Sequence, residues 1–271
     1  MATTPRIIFG TGASSIKTEN GLKDLLTVAL QNGIFAFDTA PSYKTEAMLG
    51  RSLDALMREK RIPREQLHIQ TKIDPIQMYE GKVENHVESV LHEMKLDYFD
   101  CLLVHWPVHK YFMDTWDALK RLKASGIVKS IGICNLRVLH LRELKTLDII
   151  PDVLQIERHP LNTFEGERQF SKDNNILLQD YSPLCKMNPL LRESTVLKEM
   201  ASRYNVNIGQ LILRWHIDTG ATPIFTSQKP SRIMEYSRLE SFSLQDGDIT
   251  AIGEMNINHK MYLESLICPG F

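Results

Sequence analysis

The chain has 271 residues, 43% of them hydrophobic and 24% charged, with 14 glycines and 12 prolines. These proportions lie near the averages of globular proteins and exclude collagen, coiled-coil and disordered chains. Because 32 Lys and Arg nearly balance 33 Asp and Glu, the net charge is -1. A basic face for nucleic acid and an acidic tail are therefore not indicated, and a small-molecule partner is expected.

The cysteines and the first residues of the chain indicate where the protein resides. Cys101, Cys134, Cys185 and Cys268 form no CxxC motif and lack the spacing of zinc ligands, so we expect reduced thiols. Residues 1–6 contain no apolar segment of a signal peptide, and no stretch approaches the roughly 18 apolar residues of a membrane span. We therefore expect a monomeric cytoplasmic protein with no membrane, nucleic-acid or metal partner.

The first half of the chain alternates apolar strands with amphipathic helices. An apolar segment at residues 7–9 ends in Gly10-Thr11-Gly12, and leucines at helical spacing over residues 22–30 follow it. Further strands are predicted at residues 34–38, 67–72, 101–105 and 130–134, and further helices at residues 46–60, 83–94 and 116–123.

The second half continues this alternation. Strands are predicted at residues 153–157, 177–181 and 222–225, each preceded by a helical pattern. Between the last two strands there is room for two helices, at residues 196–204 and 208–219. No linker rich in Gly, Pro or Ser interrupts the series, so the pattern indicates one continuous unit.

Eight strands that alternate with helices favour an α/β fold, a (β/α)8 TIM barrel formed by residues 1–271 as a single domain. A doubly wound open sheet is the alternative architecture. It would place a phosphate-binding GxGxxG loop after the first strand. Residues 10–15 read Gly-Thr-Gly-Ala-Ser-Ser and lack the third glycine, so the barrel is favoured.

Polar side chains lie at the carboxyl ends of the predicted strands, where barrels of this kind build their functional sites. The residues at or just beyond these ends are Asp38, Tyr43, Lys72, His105, Asn135, Gln155, Tyr181, Thr226 and Ser227. Asp38 and Lys72 end neighbouring strands, which lie about 4.8 Å apart. Since buried charges must be paired, we expect these two side chains to meet.

Four of these residues suit the protonation of an oxygen on which negative charge develops. The phenol of Tyr43 has an ordinary pKa of about 10, and a nearby Lys72 ammonium would lower it. Asp38 would keep the lysine charged, and His105 would donate a hydrogen bond to a substrate oxygen. Taken singly, Asp38 and Lys72 are equally well explained as a structural ion pair, and His105 as a core histidine.

The order of these residues resembles the aldo-keto reductases over about residues 7–257. The segment Asp38-Thr39-Ala40-Pro41-Ser42-Tyr43-Lys44-Thr45-Glu46-Ala47-Met48-Leu49-Gly50 is similar to the first signature of that family, and Lys72 and His105-Trp106-Pro107 follow at the expected strands. The resemblance implies a catalytic tetrad of Asp38, Tyr43, Lys72 and His105. It also implies a nicotinamide-dependent carbonyl reductase or alcohol dehydrogenase that interconverts aldehydes or ketones and alcohols.

The same resemblance implies a cofactor site. Asn135 and Gln155 match the side chains that hold the nicotinamide carboxamide, and Tyr181 matches the aromatic residue on which the ring stacks. Cys134 stands where serine is usual, and a thiol donates hydrogen bonds only weakly. The other residues implied at this end of the cofactor are Gly10, Thr11, Gly12, Ser182 and Leu184.

The segment after the eighth strand departs from the family pattern. Ile-Pro-Lys-Ser is common there, but this chain reads Ile224-Phe225-Thr226-Ser227, so the lysine for the 2′-phosphate is missing. Lys229 and Arg232 remain as cations for that phosphate, and Glu235 remains near the adenine. With Thr226 and Ser227 also in this segment, we expect NADPH, bound with a weaker preference than is typical, and NADH as the alternative.

The loops that wall the substrate pocket are short. His105 is followed within a few residues by a helix near Tyr111. The resemblance therefore implies a wide pocket for small carbonyl substrates, lined by Trp106, Phe112 and Met113.

Two other classes of function remain open. A regulatory or redox-sensing relative that binds the cofactor with little turnover would have the same fold, and only the complete tetrad argues against it. A metal-dependent barrel hydrolase needs clustered ligands, whereas His105, His140 and His159 are isolated in the sequence.

Overall fold

Eight parallel strands pair in chain order and close into a barrel. They belong to a computed structural model that describes residues 5–12, 16 and 18–262. The last strand pairs with the first, with Ile8 opposite Ile224, so neither has a free edge. This topology confirms the predicted (β/α)8 barrel. Cys268 and residues 13–15 of the glycine-rich turn lie outside the described residues.

The strands lie close to the predicted positions. They are β1 (Ile8–Gly10), β2 (Ala36–Asp38), β3 (His68–Ile73), β4 (Phe99–Val104), β5 (Val128–Cys134), β6 (Val153–Glu157), β7 (Leu177–Tyr181) and β8 (Ala221–Phe225). Strands β6 and β7 have the predicted bounds, and the others differ by one or two residues at an end. Almost all strand residues are buried, as expected where helices cover the sheet.

Helices surround the barrel. They are α1 (Glu19–Gln31), α2 (Glu46–Lys60), α3 (Pro75–Glu80), α4 (Val83–Met94), α5 (His109–Ala124), α6 (Val138–Thr146), α7 (Glu165–Asp173), α8 (Pro189–Arg192), α9 (Thr195–Arg203), α10 (Ile208–Asp218), α11 (Pro230–Tyr236) and α12 (Asp246–Gly253). The bounds of α2 and α4 are those predicted. The hydrophobic pattern misses α3, α8, α11 and α12, because helices of 6, 4, 7 and 8 residues span too few turns to show a clear period of 3.6.

Local sequence explains where several helices begin and how closely they pack. Asn207 begins α10 because its side chain accepts the Gln210 backbone N–H at 2.9 Å, while the Gln210 side chain accepts the Asn207 N–H at 3.1 Å. A Cβ on Gly50 would lie 2.3 Å from Met94 Cα. Only glycine therefore allows α2 to approach the end of α4 at this distance.

One face of α5 packs into the hydrophobic core, and this corrects the expected position of Phe112. Phe112 is 2% exposed, and its ring stacks on Trp116 with 6.0 Å between the centroids. Because α5 begins at His109, the next turn of the helix directs Phe112 toward the barrel and leaves Met113 exposed. Phe112 is thus a core residue and not part of the pocket wall.

Within residues 5–12, 16 and 18–262, no helix has both the length and the apolar character that crossing a bilayer would require.

Candidate active site

A buried ion pair joins the ends of β2 and β3. Lys72 Nζ lies 2.8 Å from both carboxylate oxygens of Asp38 and donates to the carbonyl oxygen of Thr39 at 2.9 Å. The side chains of Lys72 and Asp38 are 0% and 4% exposed. An ammonium removed from water to this extent needs such partners. The burial fixes the position of the positive charge.

A glutamine cluster beneath this pair holds the aspartate. Gln70 and Gln155 donate through Nε2 to Asp38 Oδ2, at 2.7 and 3.2 Å. The same two amide groups also donate to Gln179 Oε1, at 2.9 and 3.0 Å. Sequence reasoning assigned Gln155 to the cofactor and overlooked Gln70 and Gln179. A signal for them exists, since a polar residue inside an apolar barrel strand needs a buried partner.

Tyr43 lies above the ion pair at the mouth of the barrel. It ends a short turn, Pro41–Tyr43, that follows β2. Its hydroxyl is 3.4 Å from Lys72 Nζ. A Cβ on Gly12 would approach the Tyr43 ring to 3.0 Å. Gly12 therefore leaves room for the phenol beside the lysine.

Burial outweighs the lysine in setting the acidity of this phenol. Burial raises the pKa of Tyr43 to about 12, although Lys72 lowers it and Asp38 raises it further. Lys72 thus lowers the pKa of Tyr43 as predicted, but its effect is smaller than that of burial, so the pKa stays above its ordinary value. The physical consequence is that Tyr43 keeps its proton throughout the neutral range and remains a proton donor.

His105 follows β4 and faces Tyr43. The two rings are nearly perpendicular, at 87°, with 5.7 Å between their centroids. His105 Nδ1 is hydrogen-bonded to Asp74 Oδ1. Burial lowers the pKa of His105, although the bond to Asp74 opposes this change. Burial would raise the pKa of Asp74, but hydrogen bonds from His105 and Ser42 outweigh it and keep that pKa below its ordinary value.

Sequence reasoning missed Asp74. The residue lies directly after β3, two positions beyond Lys72, and is the N-cap residue of α3. An acid that follows a barrel strand lies at the same end as the site, and this position was the available signal. Within the described part of the chain, Asp74 supplies the one carboxylate that is hydrogen-bonded to the ring of His105.

Asn135 and Tyr181 line the same central cavity as Tyr43. Tyr181 donates its hydroxyl proton to Asn135 Oδ1 at 2.8 Å, and Asn135 Nδ2 donates to the carbonyl oxygen of His105 at 2.9 Å. Both N–H groups of the Gln155 amide are engaged below. Gln155 Oε1 is therefore the atom left to accept a hydrogen bond from a carboxamide.

Three cavities share lining residues and form one extended groove. The central cavity, of about 330 Å³, is lined by Tyr43, His105 and Trp106 among others. It shares Gly12, Ser182 and Thr226 with a second cavity of about 760 Å³. The second cavity shares Met187 and Arg232 with a third of about 660 Å³. The groove thus suits a long ligand with one end at Tyr43.

Most of the predicted cofactor residues line this groove. They are Gly10, Gly12, Asn135, Gln155, Tyr181, Ser182, Leu184, Thr226, Ser227, Lys229, Arg232 and Glu235. Arg232 and Lys229 are exposed and close to the junction of the second and third cavities. Glu235 accepts a hydrogen bond from Asn207 Nδ2 at 2.8 Å. The residues therefore fit a dinucleotide with an added phosphate near Arg232.

Two predicted cofactor residues, Cys134 and Thr11, are buried and are not among the residues that line these three cavities. Cys134 is fully buried in a cluster with Cys101, Leu103 and Val153, because alternation along β5 turns its side chain into the barrel. Thr11 is also fully buried, and its hydroxyl donates to the Asp38 carbonyl oxygen at 3.1 Å. Both side chains therefore help to build the end of the barrel, and their assignment to the cofactor stays a prediction.

Among the described residues, no three His, Cys, Asp or Glu side chains are grouped so that they could hold a metal ion.

Comparisons with known proteins agree with one another. The sequence profile of the Aldo/keto reductase family matches residues 6–257. Glyoxal reductase of Bacillus subtilis is 34% identical over 255 residues, which cover 93% of this chain and 90% of that protein. Methylglyoxal reductase DkgA of Yersinia pestis is 31% identical over 236 residues, which cover 86% and 83% of the two chains.

A solved structure has the same architecture. The crystal structure of an aldo-keto reductase from Bombyx mori in complex with NADP matches with a TM-score of 0.88 at 26% sequence identity. The match covers 97% of this chain and 92% of that one.

Proposed function

We propose that this chain, which belongs to the aldo/keto reductase family, is an NADPH-dependent reductase of small aldehydes and ketones. The observation that carries the proposal is the position of the Tyr43 hydroxyl in the central cavity, 3.4 Å from the buried Lys72 ammonium. The groove that leads away from this cavity suits a dinucleotide. NADPH, when bound, supplies the hydride for the carbonyl carbon.

The side chains of the chain supply the proton and the surrounding charge. Tyr43 transfers its proton to the carbonyl oxygen as negative charge develops there, which is general acid catalysis. The phenolate left on Tyr43 is stabilised by Lys72, whose charge the two contacts to Asp38 maintain. Solvent then returns a proton to Tyr43. The tetrad of Asp38, Tyr43, Lys72 and His105 thus acts as one unit.

The proposed substrates are small and reactive carbonyl compounds such as glyoxal and methylglyoxal. Two similar proteins carry these activities in their names. The central cavity of about 330 Å³, which Trp106 helps to line, is at the small end of ligand sites. A small site contributes little binding energy for large groups. We therefore expect loose selectivity with high Michaelis constants.

The preference for NADPH rests on Arg232. Its guanidinium group lies where the second and third cavities meet and is able to pair with a phosphate through two parallel hydrogen bonds. With Thr226 in the place of a lysine, we propose a moderate preference over NADH. We further propose that the protein consists of one domain and acts as a monomer in the cytoplasm.

The test uses the purified wild-type protein with NADPH or NADH and a panel of glyoxal, methylglyoxal and one bulky ketone. We expect cofactor oxidation with the two small compounds, with Michaelis constants toward the upper end of about 1 μM to 1 mM, and faster reduction with NADPH. Tight cofactor binding without turnover of any carbonyl compound would instead support the redox-sensing alternative. A micromolar constant for the bulky ketone alone would contradict the proposed substrates.

A further inference from the structure

Asp74 is hydrogen-bonded to His105, and of these two residues His105 lines the central cavity whereas Asp74 is not among the residues that line it. Its Oδ2 accepts the Ser42 backbone N–H at 2.7 Å, and its Oδ1 contacts His105 Nδ1. The side chains of Asp74 and His105 are 8% and 10% exposed. Both carboxylate oxygens are therefore committed, and the histidine ring is held by one specific nitrogen.

This contact determines the tautomer of the imidazole. A carboxylate only accepts hydrogen bonds, so the proton at the contact must reside on His105 Nδ1. A neutral imidazole has one N–H group, and its other nitrogen then carries a lone pair. The nitrogen on the cavity side, Nε2, is therefore an acceptor while the ring is neutral.

A substrate carbonyl oxygen is also only an acceptor. It cannot form a hydrogen bond with a lone pair on Nε2, whereas an alcohol can donate to that lone pair. His105 thus favours the alcohol while the ring is neutral, and it donates to the carbonyl oxygen only as imidazolium. The expected role of His105 as a donor in reduction holds for the protonated ring alone.

We propose that Asp74 is a positioning residue that dictates which nitrogen of His105 carries the proton, so that protonation of His105 is required for carbonyl reduction. The effect on the reaction rests on the proposed function, while the tautomer does not. Asp74 acts through His105, since it is not among the residues that line the central cavity.

Charged groups around His105 shift its pKa, and the protonation of this ring should appear in the pH dependence of kcat/KM. Lys72 opposes the imidazolium, and Asp74 and Asp38 favour it. Burial dominates and places the pKa of His105 below its ordinary 6.5. Since the pKa of Tyr43 is about 12, the phenol does not titrate in the same range. The kcat/KM for reduction should then fall about tenfold per pH unit above the His105 pKa.

Replacing Asp74 by Asn reverses the tautomer for a geometric reason. The Ser42 backbone N–H still needs an acceptor, so the amide oxygen takes the place of Oδ2 and the amide NH₂ group faces His105. That NH₂ group donates to Nδ1, which forces the ring proton onto Nε2. The neutral imidazole of the variant can therefore donate to a carbonyl oxygen at any pH.

The primary experiment measures the ¹⁵N chemical shifts of the His105 ring in the wild-type protein above pH 7, with the signals assigned by their loss in His105→Gln. We expect a protonated Nδ1 and an unprotonated Nε2, and the reverse after Asp74→Asn. An Nε2–H tautomer in the wild type would overturn the proposal. This readout needs no turnover and applies even where Asp74→Asn does not fold.

The second experiment compares pH profiles of reduction. We expect the wild-type decline in kcat/KM to disappear in Asp74→Asn between about pH 6 and 9. Gln77→Ala is the matched control: it removes the acceptor of the Asp74 backbone N–H, 3.1 Å away, and keeps the carboxylate. Gln77→Ala should keep the wild-type profile. A flat profile in an active wild type, or an unchanged decline in Asp74→Asn, would overturn the proposal. Absence of turnover in every protein would refute the proposed function alone.

Discussion

Replacing Lys72 by Met removes the buried cation and leaves its partner behind. The Lys72 side chain is 0% exposed and contacts both oxygens of Asp38 at 2.8 Å. The Asp38 carboxylate would retain only the Gln70 and Gln155 amides, at 2.7 and 3.2 Å. Breaking a buried pair from one side costs about 3–5 kcal/mol. We therefore expect Lys72→Met to lower the free energy of unfolding by about this amount.

A second substitution separates stability from catalysis. In Asp38→Asn combined with Lys72→Met, both charges of this ion pair are removed, so much of the lost stability should return. Catalysis should not return, because the Tyr43 phenolate would still lack its counter-charge. Urea unfolding gives the free energies, provided that the slope with denaturant is unchanged, and kcat/KM gives the catalytic effect. If Lys72→Met lowers the free energy of unfolding by less than about 1 kcal/mol, or if the double variant is no more stable than Lys72→Met, an unpaired Asp38 carboxylate is not the cause of the instability.

Three further predictions test individual assignments. Arg232→Ala should raise the dissociation constant of NADPH by about 10-fold or more, the effect of losing a hydrogen bond to a charged group; equal weakening of NADH would show that Arg232 does not read the phosphate. Gly12→Ala should lower kcat with little change in the free energy of unfolding, because the added Cβ lies 3.0 Å from the Tyr43 ring and displaces the phenol. An unchanged kcat would show that Gly12 is not needed to make room for the Tyr43 ring. Phe112→Ala should lower the free energy of unfolding by about 3–5 kcal/mol, because it deletes a core side chain, and should leave KM unchanged. Trp106→Ala should alter KM. A change of KM in Phe112→Ala would show that Phe112 does line the pocket.

The barrel could be predicted because its strands and helices follow simple periods. Residues 46–60 show the helical spacing that α2 uses, and residues 153–157 and 177–181 are apolar segments with the length of a strand. Polar residues at strand ends then indicated the site, since the carboxyl ends of parallel strands meet. The structure brings Asp38, Tyr43, Lys72 and His105 together at one end of the barrel.

Other features depend on packing that no local pattern contains. The burial that raises the pKa of Tyr43 arises from distant parts of the chain. The rotation of α5 that buries Phe112 depends on where the helix begins. The contact of Asp74 with His105 joins residues 31 positions apart in the sequence. Such facts require the three-dimensional arrangement of the strands.

The role of Tyr43 as proton donor is tested most directly by single-turnover hydride transfer from NADPH to methylglyoxal in Tyr43→Phe. We expect a rate about 10²-fold or more below that of the wild type, because the general acid is lost. NADPH affinity should stay nearly unchanged. Tyr79→Phe is the matched control, since Tyr79 is 68% exposed outside the cavity, and its rate should equal that of the wild type. A Tyr43→Phe rate within a few-fold of the wild type would contradict the central claim that Tyr43 is the proton donor.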